Sequence, residues 1–460
     1  MKKLNLLKTR LKFFITSAIF FFSILKLGAQ NLTAQQFVED LEFLKKELPK
    51  RHKNLFAKIS EEEFNQKIEQ IAQKSKTLNN EIFEIELYKL IKEIGDEHTR
   101  IEPIYKTKFP INFDFFKEGI YVTKTDSLHS NLLYKKLNGV ENKTTNDIIK
   151  DFRKIIKSDN QSYFEIYFQN FINNPRILKG LKIIDSSTNA NFILNQQKYL
   201  ISSVQKHNVA EPISKLLRYR NNDKYWYEII DDGNIIYFNY QDCSEQDNKP
   251  FTVFNDELFR DIDKHQPEKI ILDLRNNSGG NSAILKPFLD KLSKNYMNKK
   301  GSLYVLIGKK TFSSALMNAV DLKRNFNSIL VGEPTSGNVN HYGETRGFRL
   351  PNSKITVGYS TKYWENWKGY SGPLLPDIKI KYSIKNLKKN IDEAIEYVKD
   401  ARRFIYKQKK EKPHSFSFSI SFYPNFFFLN QNNKPPKSPI MANGKNKFRY
   451  CQFVLSSAIL

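Results

Sequence analysis

Residues 33–95 place apolar side chains three and four positions apart, the period of helices that bury one face. Two helix starts are marked in that stretch, Thr33 with Gln36 and Ser60 with Glu63, each a capping-box pattern ahead of an apolar run. A third helical run extends from about Ile82 to Ile94. Between residues 110 and 155 the period shortens: FPINFDFF and GIYVTKT read as short strands, and LLYKKLNGVENKTTNDIIKDF as strand, turn and a helix starting near Thr145. Residues 156–220 read mostly as helix and loop. YWYEII and NIIYFNY, separated by Asp-Asp-Gly, then form a β-hairpin over 225–240.

From there to about residue 400 the pattern alternates. Helix Asn255–His265, strand Lys269–Leu274, helix Ser282–Leu292, strand Leu303–Gly308, helix Ser314–Arg324 and strand Ser328–Val331 are predicted in turn, then a β-rich cap (GFRLPNSKITVGYSTKYW) and a last helix, Asn386–Phe404. Strands alternating with helices predict βαβ units around a mostly parallel sheet, with any site at the strands' C-terminal ends. The fold class is therefore α/β.

Two junctions in this alternation carry chemistry. IILDLRNNSGG at Ile270–Gly280 is a buried strand running into an Asn/Ser/Gly turn, whose glycines allow close backbone approach by a ligand. TFSSALMNA at Thr311–Ala319 puts Ser313 at a strand-to-helix turn, where the next N–H is free for an oxyanion. That is the arrangement acyl transfer by a serine requires. With VGEPTSG at Val331–Gly337, the ordered set resembles the C-terminal processing peptidases, or tail-specific proteases, and their tricorn-core relatives. The resemblance covers roughly residues 34–400 and is most specific over 270–345.

It implies a crotonase-like ββα serine peptidase core at 223–405, a small helical N-terminal domain at 30–100, and a reduced PDZ-like β segment with a helical linker at 101–222. The family nucleophile lies six residues before an Ala on the following helix; Ser313 matches through Ala319, and Ser314 does not. The N–H groups of Ser314 and of Gly279 or Gly280 are the implied oxyanion donors. The processing branch carries a Lys base where this chain has Asn338, which cannot accept a proton, so a Ser–Lys dyad is excluded. The tricorn-like branch takes a His from a D-x-H-T motif, matched here by GDEHTR with His98. His98 read without the family is equally a helix-terminating histidine. As a base it would titrate in the ordinary imidazole range, about pH 6–7.

A His base needs an acceptor for its second nitrogen. The family's Glu before G-x-x-P-D has no counterpart at SGPLLPD, Ser371–Asp377. Glu365, Glu344 and Asp96 are the available carboxylates; Glu344 is the first choice, with a surface pair to Arg346 as its other reading. Asp273 and Arg275 read as structural, pinning the strand end, and His52 as a packing or capping residue. The implied activity is secreted serine-type peptide-bond hydrolysis on a peptide or protein substrate. The alternative is a catalytically inactive peptide-binding relative of the same fold, its base lost with Asn338. Trp364 and Trp367 on the cap admit a minor third reading, polysaccharide binding.

Charge refines the picture. The chain's net charge of +25 resembles a nucleic-acid binder's, but residues 1–29 contribute +6 and residues 401–460 contribute +10. The remaining +9 is thinly spread and accompanies no nucleic-acid motif, so no nucleic-acid partner is expected. Lys2, Lys3, Lys8, Arg10 and Lys12 precede FFITSAIFFFSIL and a small-residue exit, a secretory signal peptide cleaved after Ala29 or Gln30. An exported, periplasmic or extracellular protein without stable membrane insertion is expected. Cys243 and Cys451 indicate no disulfide framework, and no Cys/His cluster implies a metal or cofactor. Residues 406–460, which include SFSFSISFYPNFFFL, read as a disordered or low-complexity tail.

Overall fold

The computed structural model describes residues 31–205 and 215–410. The signal peptide, Cys451 and the tail beyond 410 lie outside the described residues.

Three helices open the described chain: α1 (Ala34–Arg51), α2 (Glu61–Gln73) and α3 (Asn80–Ile94). The Thr33 capping box forms in full, and Ser60 and Asn79 accept N–H bonds from Glu63 and Ile82 at the next two starts. Phe37, Leu41, Leu44 and Leu48 form the buried stripe of α1, as their spacing requires. Next come strand β1 (Arg100–Ile101), the antiparallel pair β2 (Ile111–Phe116) and β3 (Gly119–Thr125), and β4 (Leu137–Val140) with β5 (Lys143–Thr144). Three helices follow: α4 (Thr145–Arg153), α5 (Gln161–Phe171) and α6 (Pro175–Gly180).

The stretch expected to be helix and loop also holds an antiparallel hairpin, β6 (Asn189–Leu194) and β7 (Gln197–Ser202). It joins β4 and β5 in a four-stranded sheet ordered β5-β4-β6-β7. Its two-residue turn is Asn195–Gln196, both with positive φ, 49° and 67°. Such a turn ordinarily announces itself as Asn-Gly, and Gln in the second place hid it.

The six-stranded sheet of the C-terminal half contains β8 (Tyr225–Ile230), β9 (Ile235–Tyr240), β10 (Lys269–Asp273), β11 (Leu303–Ile307), β12 (Ile329–Gly332) and β15 (Ile378–Lys379) in that order. β8 and β9 pair antiparallel and every later pair is parallel. Its helices are α7 (Phe251–His265), α8 (Lys286–Leu292), α9 (Ser313–Asn325), α10 (Ile384–Lys388) and α11 (Glu393–Lys410). The cap is a long hairpin, β13 (His341–Arg349) and β14 (Thr356–Trp364), to which β1 adds as a third strand.

Alternate residues of the parallel strands face opposite ways. Ile270, Leu272, Leu303 and Val305 pack with α7, α8 and α9, while Ile271, Tyr304 and Leu306 pack with Ala394, Ile395 and Val398 of α11. Leu350, Ile355, Val357 and Tyr359 from the cap sit in the N-terminal core instead, so cap and helical region share one buried cluster.

Three element boundaries differ from expectation. Helix α7 begins at Phe251, four residues early, with Pro250 at its N-cap. The run Ser282–Leu292 opens as a 3₁₀ turn over Ser282–Leu285 before α8. The expected helix Asn386–Phe404 is broken between α10 and α11, where Asn390 takes φ +55° and Asp392 turns inward to an arginine.

Candidate active site

The C-terminal ends of β10 and β11 are stapled together by Thr311. Its hydroxyl donates to Leu274 O (2.8 Å) and accepts the Gly308 N–H (3.0 Å), while Phe312 N–H donates to Asn277 O (3.2 Å). Below them Arg275 is held by Asp273 (2.5 Å) and Asp392 (2.7 Å), all buried, with Tyr237 donating to Asp273 at 2.7 Å. Asp273 and Arg275 therefore pin the strand end structurally.

On this frame Phe312 is extended, and the next residue, Ser313, heads α9 with φ +48°. A non-glycine residue in the left-handed region is strained, and the fold holds it there at the start of a helix. The reason it fits is Gly279. A Cβ built on Gly279 would stand 2.8 Å from Ser313 Cβ and 3.0 Å from Ser314 N, so the glycine turn lies directly against the serine turn. Ser313 Oγ makes no hydrogen bond among the described residues.

The three expected oxyanion donors separate into two kinds. Gly279 N–H donates to Asn277 Oδ1 (2.9 Å), so its contribution is space rather than a free donor. The N–H groups of Gly280 and Ser314 have no acceptor among the described residues. The Ser314 hydroxyl, meanwhile, donates to Gly280 O (2.6 Å) and ties the two turns together. Asn277 also donates to Tyr240 O (2.9 Å) and is fully buried. Sequence reading passed over it, though Asn ahead of Ser-Gly-Gly is a frequent organiser of such turns.

His98 arrives from the other side. Gly95 ends α3 in the left-handed conformation, φ +74°, and the following residues wrap the Asp96 carboxylate. Asp96 accepts from Thr99 Oγ1 (2.5 Å), Ser360 Oγ (2.6 Å), the His98 N–H (3.0 Å) and His52 Nε2 (3.1 Å). His52 Nδ1 accepts the Asn54 N–H at 3.0 Å, so its proton is on Nε2 and is donated to Asp96. Burial pushes the Asp96 carboxyl up, but these donors outweigh it and hold it down at about 2. His52 is thus a strut under the His98 loop. Pairing of Arg100 and Ile101 with Gly358 and Val357 fixes the loop's exit.

The His98 ring is buried, and neither nitrogen has a side-chain partner; the backbone of Tyr342 is its one hydrogen-bonding influence. It stacks on Phe312 (centroids 4.5 Å apart, planes 26°) and on His341 (5.2 Å, 14°). Burial foremost, then the neighbouring His341 ring, push its pKa down to about 3, against the pull of Asp96. It is neutral throughout the physiological range, and the ordinary titration near pH 6–7 does not apply to it.

Glu344 is not the orienting acceptor. It sits at φ +56° in β13, where the flanking pairs Gly343–Lys362 and Thr345–Ser360 keep one register, and its side chain is exposed. His341 and Gly343 hold the buried positions of the strand, so its alternation aims Glu344 outward. Asp96 reaches His98 only through the backbone, and Glu365 is exposed beside a different depression.

Asn338, where the processing branch has its Lys, donates to Glu97 Oε1 (2.6 Å), which Lys157 also holds at 2.8 Å. The N-cap of α5 grips the same loop. Asn160 Nδ2 donates to Thr335 O and Ser336 O, and Ser162 Oγ to Pro334 O. His98 and Ser313 open into one cleft of about 710 Å³, with Tyr163, Tyr167, Arg100 and Ser278 among its walls.

No family model and no curated protein matches this sequence. Solved structures do. Mature CPAF complexed with lactacystin aligns at TM-score 0.56 and 14% identity, over 81% of this chain and 98% of that one. A serine-to-alanine mutant of CPAF aligns at 0.58 and 13%, over 83% and 99%. This chain has the CPAF fold. At these identities the likeness to CPAF is one of architecture, and the chemistry rests on the residues above.

Proposed function

We propose that this chain is a secreted serine-type peptidase of the tail-specific protease family, in its tricorn-like branch. The observation that carries the reading is Ser313, held at φ +48° against Gly279 and opening with His98 into one cleft. Neutral His98 accepts the Ser313 Oγ proton as the oxygen attacks the peptide carbonyl. The resulting imidazolium returns that proton to the departing amine, and water repeats the sequence on the acyl-enzyme. Gly280 and Ser314 supply the N–H donors for the oxyanion; each such donor typically lowers the barrier by ~3 kcal/mol. In this reading the parallel sheet with α7–α9 is the crotonase-like core, and the β4–β7 sheet the reduced PDZ-like segment. Residues 1–29 act as the export signal.

The test is hydrolysis of a peptide library followed by mass spectrometry. Ser313→Ala and His98→Ala are expected to abolish cleavage alike, since members of one catalytic unit fail together. Cleavage surviving His98→Ala would remove His98 from the mechanism. One observation favours the alternative, a silent peptide-binding relative: neither ring nitrogen of His98 meets an orienting carboxylate. Peptide binding without turnover in the wild type would establish it. For export, a native N-terminus near Gln30 is expected, and retained Met1 would overturn that part.

A further inference from the structure

We propose that in this chain the His98 imidazole is oriented by a ring sandwich, Phe312 on one side and His341 on the other, in place of a hydrogen-bonded carboxylate. The inference rests on the serine-peptidase reading for its kinetic consequences, but its geometry stands alone. His98 lies within 26° of parallel to Phe312 and 14° to His341, at 4.5 and 5.2 Å, and no carboxylate bonds to either of its nitrogens, the backbone of Tyr342 being the one hydrogen-bonding influence on the ring.

Both flanking rings are themselves locked. His341 Nδ1 faces the carbonyls of Asn338 (2.9 Å) and Val339 (3.3 Å), so it carries the proton and donates. Rotation of that ring would break the bond. Phe312 is fixed through its N–H on Asn277 O, and its ring lies so close to Gly337 that a Cβ there would stand 2.9 Å from Cδ2. Asn338 thus gains a positive role: where the family carries a Lys base, its carbonyl anchors the ring that confines the His base.

The sandwich also keeps water off His98. The charged and titratable groups facing it are Asp96 and Arg100 from its own segment and His341 from β13; Phe312 and Ser313 on the α9 side bring no charge. Burial between the rings holds it neutral, which is the form a base must start from.

His341 is then a positioning residue, and two substitutions separate ring from nitrogen. His341→Phe keeps the stacked surface and removes the hydrogen bond; His341→Ala removes both. For His341→Ala, kcat is expected to fall about 10- to 100-fold with KM little changed, as for a misaligned catalytic group. Its acid limb of kcat/KM should move up toward the ordinary histidine range. His341→Phe should retain activity within about fivefold, with the acid limb unmoved. Near-normal kcat in His341→Ala, or equal damage in both variants, would overturn the sandwich.

A second readout needs no turnover. The His98 ring signal, assigned by its loss in His98→Gln, is followed by NMR against pH. It is expected to stay in the neutral form below pH 5 in wild type and His341→Phe, and to titrate near the ordinary ~6.5 in His341→Ala. A wild type that cleaves nothing while these titrations behave as stated would defeat the peptidase reading and leave the sandwich standing. His98 titrating alike in wild type and His341→Ala would defeat the sandwich itself.

Discussion

Gly279→Ala strikes the contact that shapes the Ser313 turn. The new methyl would meet Ser313 Cβ at 2.8 Å, Ser314 N at 3.0 Å and Phe312 O at 3.1 Å, while the backbone there holds φ +111°. Alanine at that φ is strained by roughly 1–3 kcal/mol. Overpacking against two backbone atoms and a Cβ, none of them the far end of a flexible chain, adds about 1–3 kcal/mol. The sum is roughly 2–6 kcal/mol, relieved in part by moving Ser313. A displacement of that kind at a reacting oxygen lowers the rate by about 100-fold. Gly301→Ala separates the two contributions, since Gly301 also has positive φ, +88°, but nothing within 4 Å of a Cβ. Thermal melts and the rate of fluorophosphonate labelling are measured on both. Gly301→Ala is expected to lose about 1–3 kcal/mol and label at the wild-type rate. Gly279→Ala is expected to lose more and label about 100-fold more slowly. Wild-type labelling by Gly279→Ala would show that the glycine turn does not support Ser313, and the reasoning would fail.

Three further outcomes are expected. His98 is depressed to about 3 and Asp96 and Asp392 to about 2, so the unfolded chain binds more protons below pH 6.5 for the His and below 3.8 for the carboxyls. Stability should therefore be fully present above pH 6.5 and fall toward pH 2, read as Tm against pH; kcat/KM should stay flat from about pH 8 to 5, and an acid limb at pH 6–7 would place His98 outside the buried stack. Asp96→Ala strands the His52, Thr99, Ser360 and His98 donors and should cost about 3 kcal/mol or more in denaturant unfolding, whereas a loss under 1 would mean the carboxylate is no hub. Arg275→Met leaves Asp273 and Asp392 buried without their partner and should destabilise by about 3–5 kcal/mol, with urea midpoints as the check.

Much of this was legible before any coordinates because it depends on local rules. IILDL and LYVLI are apolar runs bounded by turn residues, and only strands buried on both faces read that way. Thr33 and Ser60 sit where helices must begin, since their side chains satisfy otherwise orphaned N–H groups. The place of Ser313 at a strand-to-helix turn was legible because the apolar run before it and the helical run after it fix where the chain must turn. The failures are those of tertiary geometry. Glu344 was chosen because it follows the loop that brings the family's Lys to the serine, and the strand there turns its side chain outward beside buried Gly343. Gly279 has an N–H like any other, and only the buried Asn277 amide beside it claims that donor. His341 carried no signal at all: its importance comes from a stacking contact with a residue 243 positions earlier in the chain. His98 lost its ordinary titration through burial, which no motif encodes.

The central claim is that Ser313 Oγ is the nucleophile, and the site of covalent labelling tests it most directly. Wild-type protein treated with a fluorophosphonate is digested and its peptides sequenced by mass spectrometry. The adduct is expected on Ser313. It should also form, more slowly, in Ser314→Ala, where the hydroxyl tie to Gly280 O is lost but the N–H remains. It should be absent in Ser313→Ala. An adduct on Ser314, or none on a folded wild-type protein, would contradict the account.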